Sequence, residues 1–283
     1  MKVIVAQSCG FCPGVKNAIT MAEKTLAGEQ NVYSLGEIIH NKDVVKKLSA
    51  AGLKSVEKIG KVKSGTVIIR SHGATADQIR QIRQKGFKIV DATCVLVKRV
   101  QKIAKLLHSQ GYKVAMIGDK GHPEVRAVLG YAPDIAVIGS KKDVAKLSKF
   151  KKLGIICQTT QSPEHFAEMI AAIAQINFSE LKVINTLCKE AIKRQSCAVR
   201  LCKKVDIMFI LGGLHSANTR KLAQVCKKYN KKTFHLQNWK ELDKSILSGN
   251  NVAGITAGAS TPQWIIDDFV ENLRKFGREK KKK

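Results

Sequence analysis

The chain reads Gly10-Phe11-Cys12-Pro13-Gly14-Val15 shortly after the apolar run Lys2–Ala6. The apolar run predicts a buried strand, and apolar residues recur at helical spacing from Val15 to Ala27. Cys12 is therefore predicted to lie where a strand ends and a helix begins. A helix N-terminus favours the thiolate form of a cysteine, because its free N–H groups and its dipole place positive charge there. A thiolate in this position suits a metal ligand or a nucleophile.

The same arrangement occurs twice more. The segment Asp91–Cys94 ends one apolar run and the segment Asn185–Cys188 ends another, and a helical pattern follows each of them. Cys12, Cys94 and Cys188 thus divide the chain into thirds of similar length, which predicts three lobes that face a common centre. Three thiolates without a fourth partner at matched spacing suit an iron–sulfur cluster with one open iron, or a zinc ion with one open position.

The composition is that of a chain that can bury a large core. It has 283 residues, of which 44% are hydrophobic, and it lacks the run of roughly 18 to 20 apolar residues that a membrane helix needs. It begins with a predicted strand and shows no signal-peptide pattern. We therefore expect a cytoplasmic protein with no membrane partner. Its eight cysteines should then be reduced, which favours metal binding or catalysis over disulfides. Four of them are expected to be small apolar residues of the core or of a helix face, and they are Cys157, Cys197, Cys202 and Cys226.

The charge is strongly positive, with 50 Lys and Arg against 22 Asp and Glu and a formal net charge of +28. Such a charge is compatible with nucleic-acid binding. The basic residues are spread over most predicted helices, however, and the 5% of aromatic residues form no RNA-binding signature, so no nucleic-acid partner is expected. A basic docking face for an acidic protein is the other functional interpretation. The basic run at the end predicts a disordered tail over residues 278–283.

Predicted strands and helices alternate along the whole chain, with polar or glycine-rich turns between them. This alternation predicts an α/β fold of parallel sheets covered by helices. We place the lobes at 13–94, 95–187 and 188–277, with the N-terminal strand 1–12 near the centre. Ligands of such folds bind at the carboxyl ends of the strands, which is where the distinctive polar residues of this chain lie.

Several of these polar residues are suited to an anion. His40, His72 and His122, together with Ser216, Asn218 and Ser260, offer neutral or switchable donors beside helix N-termini, a set that suits phosphate or diphosphate. The chain contains neither a P-loop nor a dinucleotide-binding motif.

One carboxylate is embedded in such a turn. Glu124 follows His122 by two residues and could act as an acid. Alternatively, its negative charge could simply be stabilised by the dipole at the N-terminus of its helix. Thr159 and Thr160 could orient a hydroxyl group and a water molecule, although capping of the next helix is the default interpretation.

These motifs occur together and in order, and on them the chain resembles the family of 4-hydroxy-3-methylbut-2-enyl diphosphate reductases, which end the methylerythritol phosphate route to isoprenoids. The resemblance spans essentially the whole chain. It rests on Gly10–Val15, His40-Asn41, Ser71-His72-Gly73, Asp91–Cys94, Gly121–Val125, Gln158-Thr159-Thr160, Cys188 with Arg194-Gln195, Ser216–Thr219 and Thr256–Pro262.

The resemblance implies three small α/β lobes in a pseudo-threefold arrangement around a central cavity. It implies a [4Fe–4S] cluster on Cys12, Cys94 and Cys188, whose fourth iron binds the substrate hydroxyl group. Glu124 would be the proton donor, with Thr159 beside that hydroxyl group. The residues implied to bind the diphosphate are His40, His72, His122, Thr160, Ser216, Asn218, Thr219 and Ser260.

The implied reaction removes water from an allylic diphosphate with two electrons and two protons and leaves isopentenyl and dimethylallyl diphosphates. A ferredoxin or a flavodoxin is the electron donor that the resemblance implies. Two alternatives stay open, a basic RNA-binding protein with a structural metal site and a family member with impaired catalysis.

The sequence departs from the usual family pattern at a few positions. Val95 stands where proline is usual, and the other departures are at Ala191, Leu214, His215 and Ala217. We expect them to affect rate and affinity more than the type of reaction, because every implied ligand and the implied acid are retained.

Overall fold

The computed structural model describes residues 1–58, 60, 62 and 64–282, with the side chains of 279–282 excepted. Helices and strands alternate through these residues, and the paired strands among them run parallel to each other. This confirms the predicted α/β class. The parallel order follows from the helices between the strands, since each helix returns the chain to the same edge of the sheet.

The strands are β1 (Lys2–Val5), β2 (Val32–Leu35), β3 (Lys54–Val56), β4 (Thr66–Ile69), β5 (Lys88–Asp91), β6 (Lys113–Ile117), β7 (Ala136–Ile138), β8 (Lys152–Cys157), β9 (Glu180–Val183), β10 (Ile207–Leu211), β11 (Thr233–Leu236) and β12 (Val252–Ala257). The α-helices are α1 (Pro13–Gly28), α2 (Lys42–Ala50), α3 (Ala76–Gln84), α4 (Val95–Ser109), α5 (Pro123–Leu129), α6 (Pro163–Ile173), α7 (Lys189–Cys202), α8 (Ala217–Tyr229) and α9 (Gln263–Lys282). Short 3₁₀ helices cover Lys141–Leu147, Trp239–Glu241 and Lys244–Leu247.

The described strands form three four-stranded sheets of one topology, in the orders β3-β2-β4-β5, β7-β6-β8-β9 and β11-β10-β12-β1. In the first sheet β2 lies between β3 and β4, and β5 forms the far edge beside β4. In the second sheet β6 lies between β7 and β8, and β9 forms the far edge beside β8. In the third sheet β1 takes this far edge, with Val3 opposite Ala253. The N-terminal strand therefore completes the sheet built by the last part of the chain.

The central strands are buried because helices cover both of their faces. Every residue of β10 is buried, and the Phe209 ring lies 5.1 Å from that of Phe269, which in turn lies 5.3 Å from Trp239. Burial of a side chain such as Phe209 contributes about 1.5–3 kcal/mol. Packing of this kind fixes the strand ends from which the polar loops project.

The chain divides into two compact units, each with its own sheets. The first unit consists of Met1–Val15, His40–Val44 and Lys189–Lys283, and it contains the sheet that ends in β1. The second consists of Lys16–Ile39 and Val45–Cys188, and it contains the other two sheets. The lobe boundaries 13–94, 95–187 and 188–277 and the arrangement around a central cavity stay predictions.

The last helix, α9, extends to Lys282, while the side chains of 279–282 and all of Lys283 lie outside the described residues. The disorder predicted for 278–283 therefore stays a prediction. Among the helices within the described residues, none has the length and hydropathy needed to cross a membrane. The predicted cytoplasmic location also stays a prediction.

Candidate active site

The three predicted metal-ligating cysteines occupy equivalent positions in the three sheets. Each follows the far edge strand of its sheet and directly precedes a helix, α1, α4 or α7. Each is half-buried, and its backbone N–H donates to a carbonyl oxygen in the loop after the neighbouring strand. The N···O distances are 3.2 Å from Cys12 to Ala259, 3.0 Å from Cys94 to Ser71 and 2.8 Å from Cys188 to Thr159.

The chemistry of these three positions fits an iron–sulfur cluster. Three half-buried thiols lie at helix N-termini, and a hydrogen bond holds the backbone of each one. Cysteine sulfur is the usual protein ligand of such a cluster. In the part of the chain that the structure describes, no group of three or more His, Cys, Asp or Glu side chains is placed to hold a metal ion. The cluster therefore stays a prediction that rests on the donor type and its threefold repetition.

The other cysteines differ from these three in their surroundings. Burial raises the pKa of the Cys9 thiol to about 11, although the nearby Arg194 guanidinium acts in the opposite direction. A raised pKa disfavours the thiolate, which is the form that binds a metal, so Cys9 is a poorer ligand than a cysteine with an ordinary pKa. The remaining four are buried, as the sequence predicts for core residues, and they are Cys157, Cys197, Cys202 and Cys226.

The central feature of the second unit is a contact between Glu124 and Thr159. Glu124 lies in the first turn of α5 and is 2% exposed. Its Oε1 accepts a hydrogen bond from the Thr159 backbone N–H, and its Oε2 accepts one from the Thr159 hydroxyl group, both at 2.7 Å. The contact forms because Glu124 follows β6 and Thr159 follows β8, and these strands are neighbours in the sheet.

The Glu124 carboxyl group is suited to proton transfer. Its burial raises its pKa to about 7, and the two hydrogen bonds from Thr159 offset only part of this effect because they favour the carboxylate. A carboxyl group with such a pKa holds a proton for a substantial fraction of the time at neutral pH and can release it. The next residue, Thr160, is half-buried, and its hydroxyl group accepts a hydrogen bond of 2.9 Å from the Gln158 side chain.

Two of the predicted diphosphate ligands, His72 and His122, lie together in the second unit. Their ring centroids are 5.7 Å apart with an interplanar angle of 80°. His122 caps α5, since its Nδ1 accepts from the Glu124 backbone N–H at 3.2 Å. The turn that carries His72 requires glycine at position 73, where φ is +83° and a Cβ would lie 3.0 Å from the Gln101 amide nitrogen. These two loops therefore present two histidines side by side, next to Glu124.

Thr160 also lies in the second unit, and the other predicted diphosphate ligands lie in the first. The Ser260 hydroxyl group donates to the His40 carbonyl oxygen at 3.0 Å, which joins the loop after β12 to the segment His40–Val44. Ser216 caps α8 by accepting from the Thr219 backbone N–H at 3.4 Å, and Asn218 in the first turn is half-buried.

Thr219 has a different environment from these residues, because it is fully buried. A Cβ added at Gly258 would lie 2.0 Å from its Oγ1, so this close approach depends on the glycine. Thr219 thus packs beneath the loops, and its predicted contact with a diphosphate stays a prediction.

Arg194 belongs to one of the sequence motifs, but the motif alone indicates no role for it. Its guanidinium is buried, and Nη1 donates to the Ser8 carbonyl oxygen at 3.4 Å and to the Ala257 carbonyl oxygen at 2.9 Å. It therefore ties the loop before Cys12 to the end of β12. A signal was present in the sequence, since Arg194 lies at helical spacing from Cys197, Ala198 and Leu201, the buried face of α7.

A family model described as LytB protein matches residues 3–274 of the chain. The chain belongs to the LytB protein family. This confirms the resemblance drawn from the motifs, since relatives of this LytB chain carry the corresponding enzyme name.

The LytB chain is 41% identical over 280 residues to the 4-hydroxy-3-methylbut-2-enyl diphosphate reductase of Pelobacter propionicus, a match that covers 99% of the chain and 100% of the relative. It is 39% identical over 282 residues to the enzyme of that name from Geobacter sulfurreducens, with coverage of 99% and 100%.

Two solved structures also resemble the LytB chain. One is of (E)-4-hydroxy-3-methyl-but-2-enyl diphosphate reductase, described as the terminal enzyme of the non-mevalonate pathway. It has 39% identity and a TM-score of 0.72, and the match covers 97% of this chain and 100% of the other. The second is the E-1-hydroxy-2-methyl-but-2-enyl-4-diphosphate reductase of Plasmodium falciparum, with 30% identity, a TM-score of 0.89 and coverage of 96% and 87%.

Proposed function

We propose that this chain is a 4-hydroxy-3-methylbut-2-enyl diphosphate reductase that catalyses the last step of the non-mevalonate route to isoprenoids. The observation that carries the proposal is the buried Glu124 carboxyl group, held by Thr159 at the carboxyl ends of β6 and β8. It is an acid of the kind that a departing hydroxyl group needs. The names of the full-length relatives support the same reaction.

The proposed reaction balances as a two-electron reduction. Two electrons and two protons enter, and the bond between carbon and the hydroxyl oxygen breaks. One proton leaves with that oxygen as water, and the other forms a C–H bond at one end of the allyl group. Addition at one end or the other gives isopentenyl or dimethylallyl diphosphate.

Cys12, Cys94 and Cys188 would hold a [4Fe–4S] cluster through their thiolates. When bound, the cluster supplies the electrons and an open iron that polarises the bond to the leaving hydroxyl group. The hydrogen bonds from the three backbone N–H groups would keep the loops that carry these thiols in place.

Glu124 would hold the proton that the departing hydroxyl group receives. Its raised pKa keeps the carboxyl group partly protonated at neutral pH, and Thr159 fixes its orientation through both oxygen atoms. The Thr159 hydroxyl group would lie beside the substrate hydroxyl group and could pass the proton between them.

The diphosphate would be bound by histidines and by neutral donors at helix N-termini. His72 and His122 can each donate from a ring nitrogen, and Ser216 and Asn218 lie at the positive end of the α8 dipole. The complete proposed set is His40, His72, His122, Thr160, Ser216, Asn218, Thr219 and Ser260.

A ferredoxin or a flavodoxin would deliver the electrons. The alternative of an RNA-binding protein is favoured by no feature of the fold described above. The exposed Leu214 and His215, which depart from the family pattern, lie in the loop before α8, where they would alter affinity for the diphosphate end of the substrate.

The test is an assay of the anaerobically purified holoenzyme with the allylic diphosphate and chemically reduced methyl viologen. We expect two electrons to be consumed for each substrate molecule, with isopentenyl and dimethylallyl diphosphates as products. Loaded enzyme that binds the substrate but leaves it unreduced would contradict the proposed function and favour the catalytically impaired alternative.

A further inference from the structure

Helix α4 carries a concentrated positive charge directly beside a proposed cluster ligand. It begins immediately after Cys94 and contains four Lys or Arg residues and no Asp or Glu. The helices after the other two proposed ligands differ in this respect, because α1 contains Glu23 and α7 contains Glu190. Among these three helices, only α4 carries basic residues without any acidic residue.

The basic side chains of α4 lie on its solvent-facing side, where Lys102 and Lys105 follow the adjacent pair Lys98 and Arg99 at helical spacing. Two exposed apolar residues accompany them, Val95 with 76% and Leu106 with 51% exposure. We call this set the α4 face, and it consists of Val95, Lys98, Arg99, Lys102, Lys105 and Leu106.

Most of the charge on the α4 face is available to a partner. Lys98 forms an ion pair of 2.7 Å with Asp91. Within the described residues no ion pair is formed by Arg99, Lys102 or Lys105. The positive end of the helix dipole lies at Cys94 and adds to the same potential. Such a potential attracts an acidic macromolecule and orients it before contact.

The position of the α4 face also suits electron delivery. With a rise of about 1.5 Å per residue, Lys105 lies about 16 Å along the helix axis from Cys94. Val95 follows Cys94 directly in the chain. Electron-transfer encounters bury small areas, below about 1,200 Å² in total, so one helix face with its margins is large enough. The apolar side chains can lose water on contact while the charges around them steer the partner.

We propose that the α4 face is the docking surface for a small acidic one-electron carrier protein. The inference rests on the proposed reductase function, since a reductase that loads its electrons through a cluster needs such a carrier. It goes further by assigning the contact to one helix, next to Cys94, rather than to the positive charge of the protein as a whole.

A matched pair of double variants tests the location. The first variant, Lys102→Glu with Lys105→Glu, changes the α4 face. The second, Lys227→Glu with Lys228→Glu, makes the same change of net charge on α8, another helix without acidic residues, at two exposed positions near its C-terminal end. Neither pair belongs to the proposed catalytic or diphosphate-binding residues.

The probe is a purified acidic flavodoxin. Its Kd for the holoenzyme is measured at about 0.05 M and 0.3 M salt, a range over which exposed charges become strongly screened. We expect the α4 variant to bind flavodoxin about tenfold or more weakly at low salt and to lose most of the salt dependence, whereas the α8 variant stays within about threefold of wild type. The KM for reduced flavodoxin should change in parallel, while kcat with reduced methyl viologen stays within about twofold for all three proteins.

Three outcomes would overturn the proposal. The α4 variant could bind flavodoxin as tightly as wild type, or both variants could lose affinity equally, which would mean that only net charge matters. The α4 variant could instead lose affinity for a single-stranded RNA oligonucleotide while its affinity for flavodoxin is unchanged, which would assign the face to nucleic acid. The binding measurements stand apart from the reductase assay, so absent turnover with methyl viologen would contradict the proposed function alone.

Discussion

The Thr159 hydroxyl group and backbone N–H each lie 2.7 Å from an oxygen atom of the Glu124 carboxyl group. Thr159 therefore holds both carboxyl oxygens of the buried Glu124 from the loop that follows the neighbouring strand, β8. This arrangement fixes the direction in which the carboxyl group can exchange a proton. The first two predictions below follow from it.

We predict that Glu124→Gln lowers kcat by at least about 10², because the amide keeps the shape of the side chain but has no acidic proton to give. The absorbance of the bound cluster and the affinity for substrate should change little. Glu164→Gln is the matched control, since Glu164 follows a proline at the start of α6 as Glu124 does in α5, but it is exposed. Steady-state kinetics with reduced methyl viologen measures the effect. A near wild-type rate in Glu124→Gln would show that the proton comes from another group.

We predict that kcat is constant at low pH and decreases as the pH rises above about 7. Burial raises the pKa of Glu124 from 4.5 to about 7, so the group is protonated, and able to donate, below that pH and loses its proton above it. The decrease should approach about tenfold for each pH unit. A pH profile of kcat measures this, and the residual rate of Glu124→Gln should lack the decrease. A similar decrease in that variant would assign the titration to a different group.

We predict that serine in place of Cys12, Cys94 or Cys188 abolishes cluster binding, because these thiols have equivalent positions at strand-to-helix junctions. The measurements are iron and sulfide content and visible absorbance under anaerobic conditions. Cys9→Ser and Cys157→Ser are the controls, since one thiol has a pKa near 11 and the other is fully buried. Loss of the cluster in a control as complete as in the three variants would contradict the ligand assignment.

We predict that Arg194→Gln lowers the free energy of unfolding by about 2 kcal/mol, because it removes charge-assisted hydrogen bonds to the carbonyl groups of Ser8 and Ala257. The loop before Cys12 would be held less firmly, so iron content should fall as well. Arg200→Gln on the exposed side of the same helix should cost less than about 0.5 kcal/mol. Denaturant unfolding and iron analysis measure both effects. Equal stability and equal iron content in the two variants would remove the role assigned to Arg194.

The sequence predicts well those features that depend on long apolar runs. The runs at β10 and β12 are fully or almost fully buried, and such strands are recognisable because burial on both faces demands continuous apolar residues. The short edge strands are different. Lys54–Val56 is mostly exposed and three residues long, so no apolar run marks β3.

The candidate site was predictable as a set of positions but not as a set of contacts. Local patterns place Glu124 and Thr159 each at a strand end. Their contact depends on β6 lying beside β8, which is decided by the packing of the whole sheet and not by the residues near either position. The bonds made by Arg194 likewise join α7 to two loops far away in the chain, so only its charge on a buried helical face could suggest a role.

The pairing of β1 with β12 has a consequence for how the protein is made. β1 and the adjoining Cys12 leave the ribosome early, but the strand beside them is synthesised about 250 residues later. At about 5–20 residues per second, the N-terminal strand waits on the order of tens of seconds before it can enter its sheet. Contacts of such long sequence separation form late in folding. The anchored loop that presents Cys12 therefore cannot form before β12 has been synthesised, and the proposed cluster could be inserted only after that point.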